Sequence, residues 1–197
     1  MGSLIVTNVY LFVLAVVLAM LEIQIEGRNG WAKDLPTWRS KSNNWYIRVY
    51  RKLMSGREPT GYHMAMFTFV LMILHLPYVF GLAPTLTHWL QTLSFFFIFI
   101  VLWDFLWFVL NPHYPIKKFS KEHIIWHKKW WGGLPQDYYI SLLLSLLILL
   151  PVAWHNKSWF LIDWWVLNIV FFMLGTALLI IFTYVVLDID NWIKHKK

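Results

Sequence analysis

Cysteine is absent from this chain, which excludes disulfides, thiolate metal sites, iron–sulfur clusters and cysteine nucleophiles. Any metal here must be held by His, Asp, Glu or backbone oxygen. Charge is scarce too. Only 14% of the 197 residues are Asp, Glu, Lys or Arg, against about a quarter in a soluble domain. Between Pro59 and Trp103 there is none at all. Internal repeats, low-complexity segments and flexible linkers are also lacking, so the length suits one helical domain over residues 1–197. What is present is apolar: 59% of the chain, with Trp, Phe and Tyr heavily used. A soluble fold of this size could not hide that much apolar surface, whereas a bilayer removes the need to.

A helix needs about 20 apolar residues to cross the hydrocarbon core. The sequence predicts an all-α, polytopic membrane protein with about five spans, near residues 4–21, 62–82, 88–110, 138–154 and 164–187. The first span lacks the basic flank of a cleaved signal peptide. Pro84 centres a tight turn between the second and third. With five spans, the two long loops and the tail share one side. That side then carries sixteen of the seventeen basic residues, including Lys194, Lys196 and Lys197, and only Lys157 falls opposite. The positive-inside rule makes the basic side cytoplasmic, with the N-terminus outside and the C-terminus inside. Trp31, Trp38, Trp45, Trp130, Trp131, Trp154, Trp159 and Trp192 lie near span ends, where an aromatic belt belongs. The basic loops flank apolar spans, so anionic lipid head groups are the expected partners rather than nucleic acid. A homo-oligomer is compatible with the pattern.

Both cytoplasmic loops read as carrying short interfacial helices. In residues 44–55, Trp45, Val49 and Leu53 share one helical face and Arg48, Arg51 and Lys52 lie toward the other, with Gly56 as a stop. Residues 119–131 repeat the idea, with Ser120 as N-cap and Gly132-Gly133 as terminator.

The ionisable residues gather on the same side. Glu22 and Glu26 are four apart at the end of the first span, hence on one face if the helix continues. His63 starts the second span. Asp104 lies inside the third, roughly 9 Å from its cytoplasmic end, among aromatic residues, so it needs a partner. His113 sits in the Asn111-Pro112-His113-Tyr114-Pro115 elbow, and Glu122, His123 and His127 follow in the next loop. His123 and His127 have the i, i+4 spacing of two ligands to one metal, if helical. Carboxylates and imidazoles without sulfur suit iron, manganese or zinc. Facing carboxylate and His pairs are also how helical bundles build dinuclear sites. The expected ligands are therefore Glu22, Glu26, His63, Asp104, His113, His123 and His127, with Glu122 and Asp104 as candidate catalytic groups. The competing expectation is a structural polar network, in which Asp104 pairs with Arg, Lys or His of a neighbouring element.

The His123-x-x-x-His127 pair and the topology resemble the membrane fatty-acid desaturase and hydroxylase group. That resemblance implies two irons (manganese being the alternative) and oxidative chemistry on a lipid-like substrate at the cytoplasmic face. The group's HxxHH boxes are missing here, so carboxylates would have to replace several histidines. The same pair is also similar to zinc amidases of the alkaline ceramidase kind, which implies zinc and hydrolysis; that group has seven spans. The sequence therefore leads to an expected metal-dependent membrane enzyme, an oxidoreductase before a hydrolase. The alternative is a non-catalytic membrane subunit or lipid-binding scaffold.

Overall fold

A computed structural model describes residues 2–114, 116–157 and 159–192. The tail lysines Lys194, Lys196 and Lys197 lie outside the described residues, as do Pro115 of the elbow and the side chain of Trp192. The chain is mainly helical, and among the described residues five helices are long and apolar enough to cross a membrane. They are α1 (Gly2–Glu26), α3 (Gly61–Val79), α4 (Leu86–Leu110), α5 (Gln136–His155) and α6 (Phe160–Ile181), consistent with a multi-pass membrane protein. Helix α2 (Trp45–Leu53) lies in the first long loop, and a four-residue α7 (Ile189–Trp192) follows a π-helical stretch after α6. Because α1 runs on to Glu26 rather than ending near residue 21, it carries both of its glutamates on helix.

Helix α4 is the centre of the bundle. It packs most extensively on α5 and α1 and also touches α3 and α6. A helix enclosed on several sides must be apolar nearly all round. Phe95, Ile98, Phe99, Leu102, Trp103, Leu106 and Trp107 of α4 are accordingly buried. Polar side chains join helices where lipid offers no hydrophobic drive for association. Asn8 of α1 donates to Asn168 of α6 at 2.7 Å, Trp165 of α6 to Ser145 of α5 at 2.8 Å, and Tyr78 of α3 pairs with Thr92 of α4 at 2.7 Å.

The second expected loop helix does not form. Residues 119–129 are turns and irregular chain, after a short 3₁₀ turn at Ile116–Lys118. Packing explains the difference. Phe119 contacts Phe105 and Phe108, Ile124 is buried, Trp126 stacks on Phe108, and His127 is buried. A helix here would put His123 on the same face as Phe119, Trp126 and His127, yet His123 is exposed and its neighbour Ile124 is buried. The backbone instead reaches the end of α2, where Lys128 N–H donates to Ser55 O at 3.2 Å and Lys129 N–H to Ser55 Oγ at 2.9 Å. Gly132 and Gly133, at φ 50° and 91°, then turn a hairpin that pairs β1 (Trp130–Trp131) with β2 (Leu134–Pro135), as two consecutive positive-φ residues do. They make a strand turn and not a helix stop.

Candidate metal centre

The end of α1 carries Glu22 and Glu26 to the start of α3, where His63 sits; all three are buried. His63 Nε2 is 3.8 Å from Glu22 Oε1 and 3.6 Å from Glu26 Oε1. One ligand atom from each lies within 4.8 Å of the others, so the group could hold a metal ion. Atoms roughly 2.0–2.2 Å from one ion stand about 3–3.5 Å from each other. The three therefore need to close only slightly.

Each ligand is held from behind. Thr60 caps α3, accepting from His63 N–H at 3.2 Å, and its Oγ1 lies 2.8 Å from His63 Nδ1. That bond turns Nε2 toward the carboxylates, and with Nδ1 as the donor the Nε2 lone pair faces a metal. Glu26 Oε1 accepts the Ala32 N–H at 2.5 Å. Trp31 stacks on His63 with ring centroids 3.8 Å apart. Trp31 and Ala32 both have positive φ, at 58° and 51°. Such geometry costs on the order of 1–3 kcal/mol per non-glycine residue. It is held here where one residue stacks on His63 and the next bonds Glu26. Gly30 lies against Trp126 so closely that a Cβ would stand 2.6 Å from the indole. This contact closes the wall of the site.

Beside this group lies a second polar set. Arg57 of the first long loop pairs with Asp137 at the start of α5, and its Nη1 lies 3.5 Å from Asp104 Oδ1 and 3.5 Å from His127 Nε2. His127 bridges the two carboxylates, 3.1 Å from Asp137 Oδ1 and 3.4 Å from Asp104 Oδ2. Tyr138 donates to Asp104 Oδ2 at 2.5 Å. Burial works against the charge on Arg57, but Asp137 and then Asp104 outweigh it and hold the guanidinium above its ordinary value. The guanidinium also lies 4.0 Å from the Trp31 ring centre, so Trp31 connects the two sets.

Both sets share a small cavity of about 40 Å³, lined by Glu22, Trp31, His63, Asp104 and Tyr138 among others. Trp103 and Trp107, buried on α4, line this space or its neighbour, and their indole N–H groups have no protein partner among the described residues. Across Tyr138 and Val101 lies an apolar groove of about 400 Å³ between α4, α5 and α6, also lined by Phe105, Leu142, Phe172 and Met173.

Of the sequence-derived site residues, Glu22, Glu26, His63, Asp104 and His127 come together. His113 and His123 do not join them and line a separate pocket with Arg28 and Lys118. Glu122 is fully exposed, 4.0 Å from Lys121, with its carboxyl held below the usual range first by a hydrogen bond from Ser120. The pair His123 and His127 is split by the irregular loop, one exposed and one buried. Asp137, which the sequence gathers with the other ionisable residues at the start of its span but not among the ligands, belongs to the site, as do Arg57, Trp31 and Thr60, which were not singled out for it. The available clue to Arg57 was the partner that Asp104 demands. No family model, curated protein or solved structure matches the chain.

Proposed function

We propose that Glu22, Glu26 and His63 bind one divalent metal ion, and that the protein is a membrane metalloenzyme acting on an apolar, lipid-like substrate. The observation that carries this reading is the charge balance of the buried cluster. Glu22, Glu26 and Asp137 are buried and Asp104 partly so, and among the described residues a single buried guanidinium, Arg57, faces them. Isolated buried carboxylates are costly unless a cation or a proton compensates them. Arg57 serves the Asp104–Asp137 side, which leaves the two glutamates to a proton or a cation of their own, and His63 beside them as a third donor favours the cation.

The donor set of two carboxylates and an imidazole suits iron or manganese, with zinc as the alternative. Iron would supply oxidative chemistry, and zinc a polarised water. A dinuclear centre would need Asp104, His127 and Asp137 as its second ligand set, but Arg57 already pairs with both of those carboxylates, so one ion is the reading. The adjoining groove supports an apolar substrate, since its volume lies within the range of small-molecule sites and it shares Tyr138 with the polar cavity. The second reading, a non-catalytic scaffold, is favoured by the completeness of the Arg57–Asp137–His127–Asp104 network; it accounts for that half of the cluster and leaves the glutamates unexplained.

Elemental analysis of the purified protein tests the proposal. About one iron, manganese or zinc per chain is expected, lost in His63→Ala and in Glu22→Gln/Glu26→Gln. Thr60→Val, which removes the support behind His63 together with the side-chain cap of α3, is expected to weaken metal affinity roughly 10- to 100-fold. Metal content unchanged in His63→Ala, or absent from the wild-type protein after reconstitution with each ion, would overturn it.

A further inference from the structure

We infer that the pocket lined by Arg28, Asn29, His113, Tyr114, Lys118 and His123 is a binding site for a phosphate-class anion. This site is separate from the proposed metal centre and stands whether or not a metal binds there.

The lining decides the sign of the ligand. Two fixed cations and two imidazoles surround a space of about 370 Å³, and among the described residues no carboxylate lines it. Two acids beside lining residues already have partners. Asn29 donates to Asp34 at 2.5 Å, and Glu122 lies 4.0 Å from Lys121. A metal ion at His113 and His123 would face Arg28 and Lys118 across the same pocket, whereas an anion gains from all four. A phosphate offers several acceptor oxygens to such donors, and charge-assisted hydrogen bonds of this kind are the strong ones.

The pocket is also built, because buried Asn111 fastens its two walls. Its Nδ2 donates to Gly27 O at 3.1 Å, fixing the chain just before Arg28, and its Oδ1 accepts from His113 N–H at 3.0 Å. Asn111 is fully buried, so this clamp does not depend on surface side chains. On the third wall, Ser120 Oγ lies 3.0 Å from His123 Nδ1, which orients that ring. Tyr114 packs edge-on against Trp126 at 5.3 Å, and the far side of Trp126 lines the cavity of Glu22, Glu26 and His63. The basic and acidic sites therefore stand back to back across one indole. The phosphate can come from a lipid head group or from solution, since the chemistry is shared.

The test is calorimetric titration of the purified full chain in phosphatidylcholine nanodiscs. Two probes are used, inorganic phosphate and dioctanoyl phosphatidate, with dioctanoyl phosphatidylcholine, a zwitterionic phosphodiester of zero net charge, as the control. The wild-type protein is expected to bind a phosphate probe, and Arg28→Gln/Lys118→Gln to bind it roughly ten-fold or more weakly. The pair Lys33→Gln/Lys157→Gln, equal in charge change but outside the pocket, is expected to bind as the wild type does. Binding of phosphatidate alone identifies a lipid head group, binding of phosphate alone a soluble source, and both support the site. The inference is overturned if the wild-type protein binds neither probe, if the control pair loses as much affinity as the pocket pair, or if the pocket instead takes zinc in a manner abolished by His113→Asn/His123→Asn. Arg28, Lys118 and His123 are exposed, so these variants do not threaten the fold; circular dichroism checks this, and Lys118→Gln alone serves if the pair misfolds.

Discussion

Arg57 carries more of the site than any other single residue outside the metal ligands. It is 4% exposed yet keeps its charge, because Asp137 and Asp104 face it and the Trp31 ring lies beneath it. Removing one member of a buried ion pair leaves the others unpaired, at a cost of about 3–5 kcal/mol. Arg57→Met is therefore expected to destabilise the protein by that order in denaturant unfolding. Adding Asp137→Asn should recover part of the loss, since the buried charge goes with its partner. Metal content should survive in any Arg57→Met protein that remains folded, because Glu22, Glu26 and His63 do not depend on the guanidinium for their hydrogen bonds. A loss below about 1 kcal/mol would mean that water already shields this network. The sequence placed Arg57 among the loop cations that set orientation. Nothing local marks it as buried, and only Asp104, a carboxylate among aromatic residues inside a span, announces that some cation must come to it.

The helices themselves were legible, because crossing a bilayer demands long apolar runs and those runs cannot be mistaken for much else. The loop after α4 was not. Its alternating Lys, His and Trp residues imitate an amphipathic helix, and only the burial of Ile124 and His127 and the packing of Phe119 on Phe105 show that they plug the end of the bundle. For the same reason His123 and His127 looked like one ligand pair and belong to two different sites. At the scale of helix against helix, polar pairs are what the sequence hides best. Asn8 and Asn168 meet through 160 residues of separation, and both are essentially fully buried. Interhelical hydrogen bonds in membranes are worth roughly 0.6 kcal/mol on average and up to about 1.7. Asn168→Leu is expected to destabilise the α1–α6 contact by about that amount, with Asn8→Leu in the same background recovering much of it, because an orphaned buried amide costs more than a missing pair. A double-mutant cycle measured by unfolding in detergent reads the coupling, and purely additive losses would mean the two amides act independently.

For the whole molecule the decisive quantity is which end faces which compartment. The structure puts the two long loops together at one end of the bundle, joined by Ser55, Lys128 and Lys129, and the turn at residues 156–157 at the other. Thirteen of the seventeen basic residues lie in these two loops, so the positive-inside rule leads to the proposal that this end faces the cytoplasm. The absence of cysteine makes this directly measurable, since any introduced thiol is unique. Lys33, Lys121 and Lys157 are all exposed. Single Lys33→Cys, Lys121→Cys and Lys157→Cys proteins, treated with a membrane-impermeant maleimide in sealed vesicles of known orientation, should divide two against one. Lys157→Cys should label from outside, and the other two only in inverted vesicles or after the membrane is opened. If all three label from one side, the number of spans between them is wrong. If the division holds with the sides exchanged, five spans stand but the acidic cluster and the phosphate pocket open to the exterior, where the supply of metal and phosphate differs. The labelling pattern therefore fixes which compartment the proposed metal and phosphate sites face.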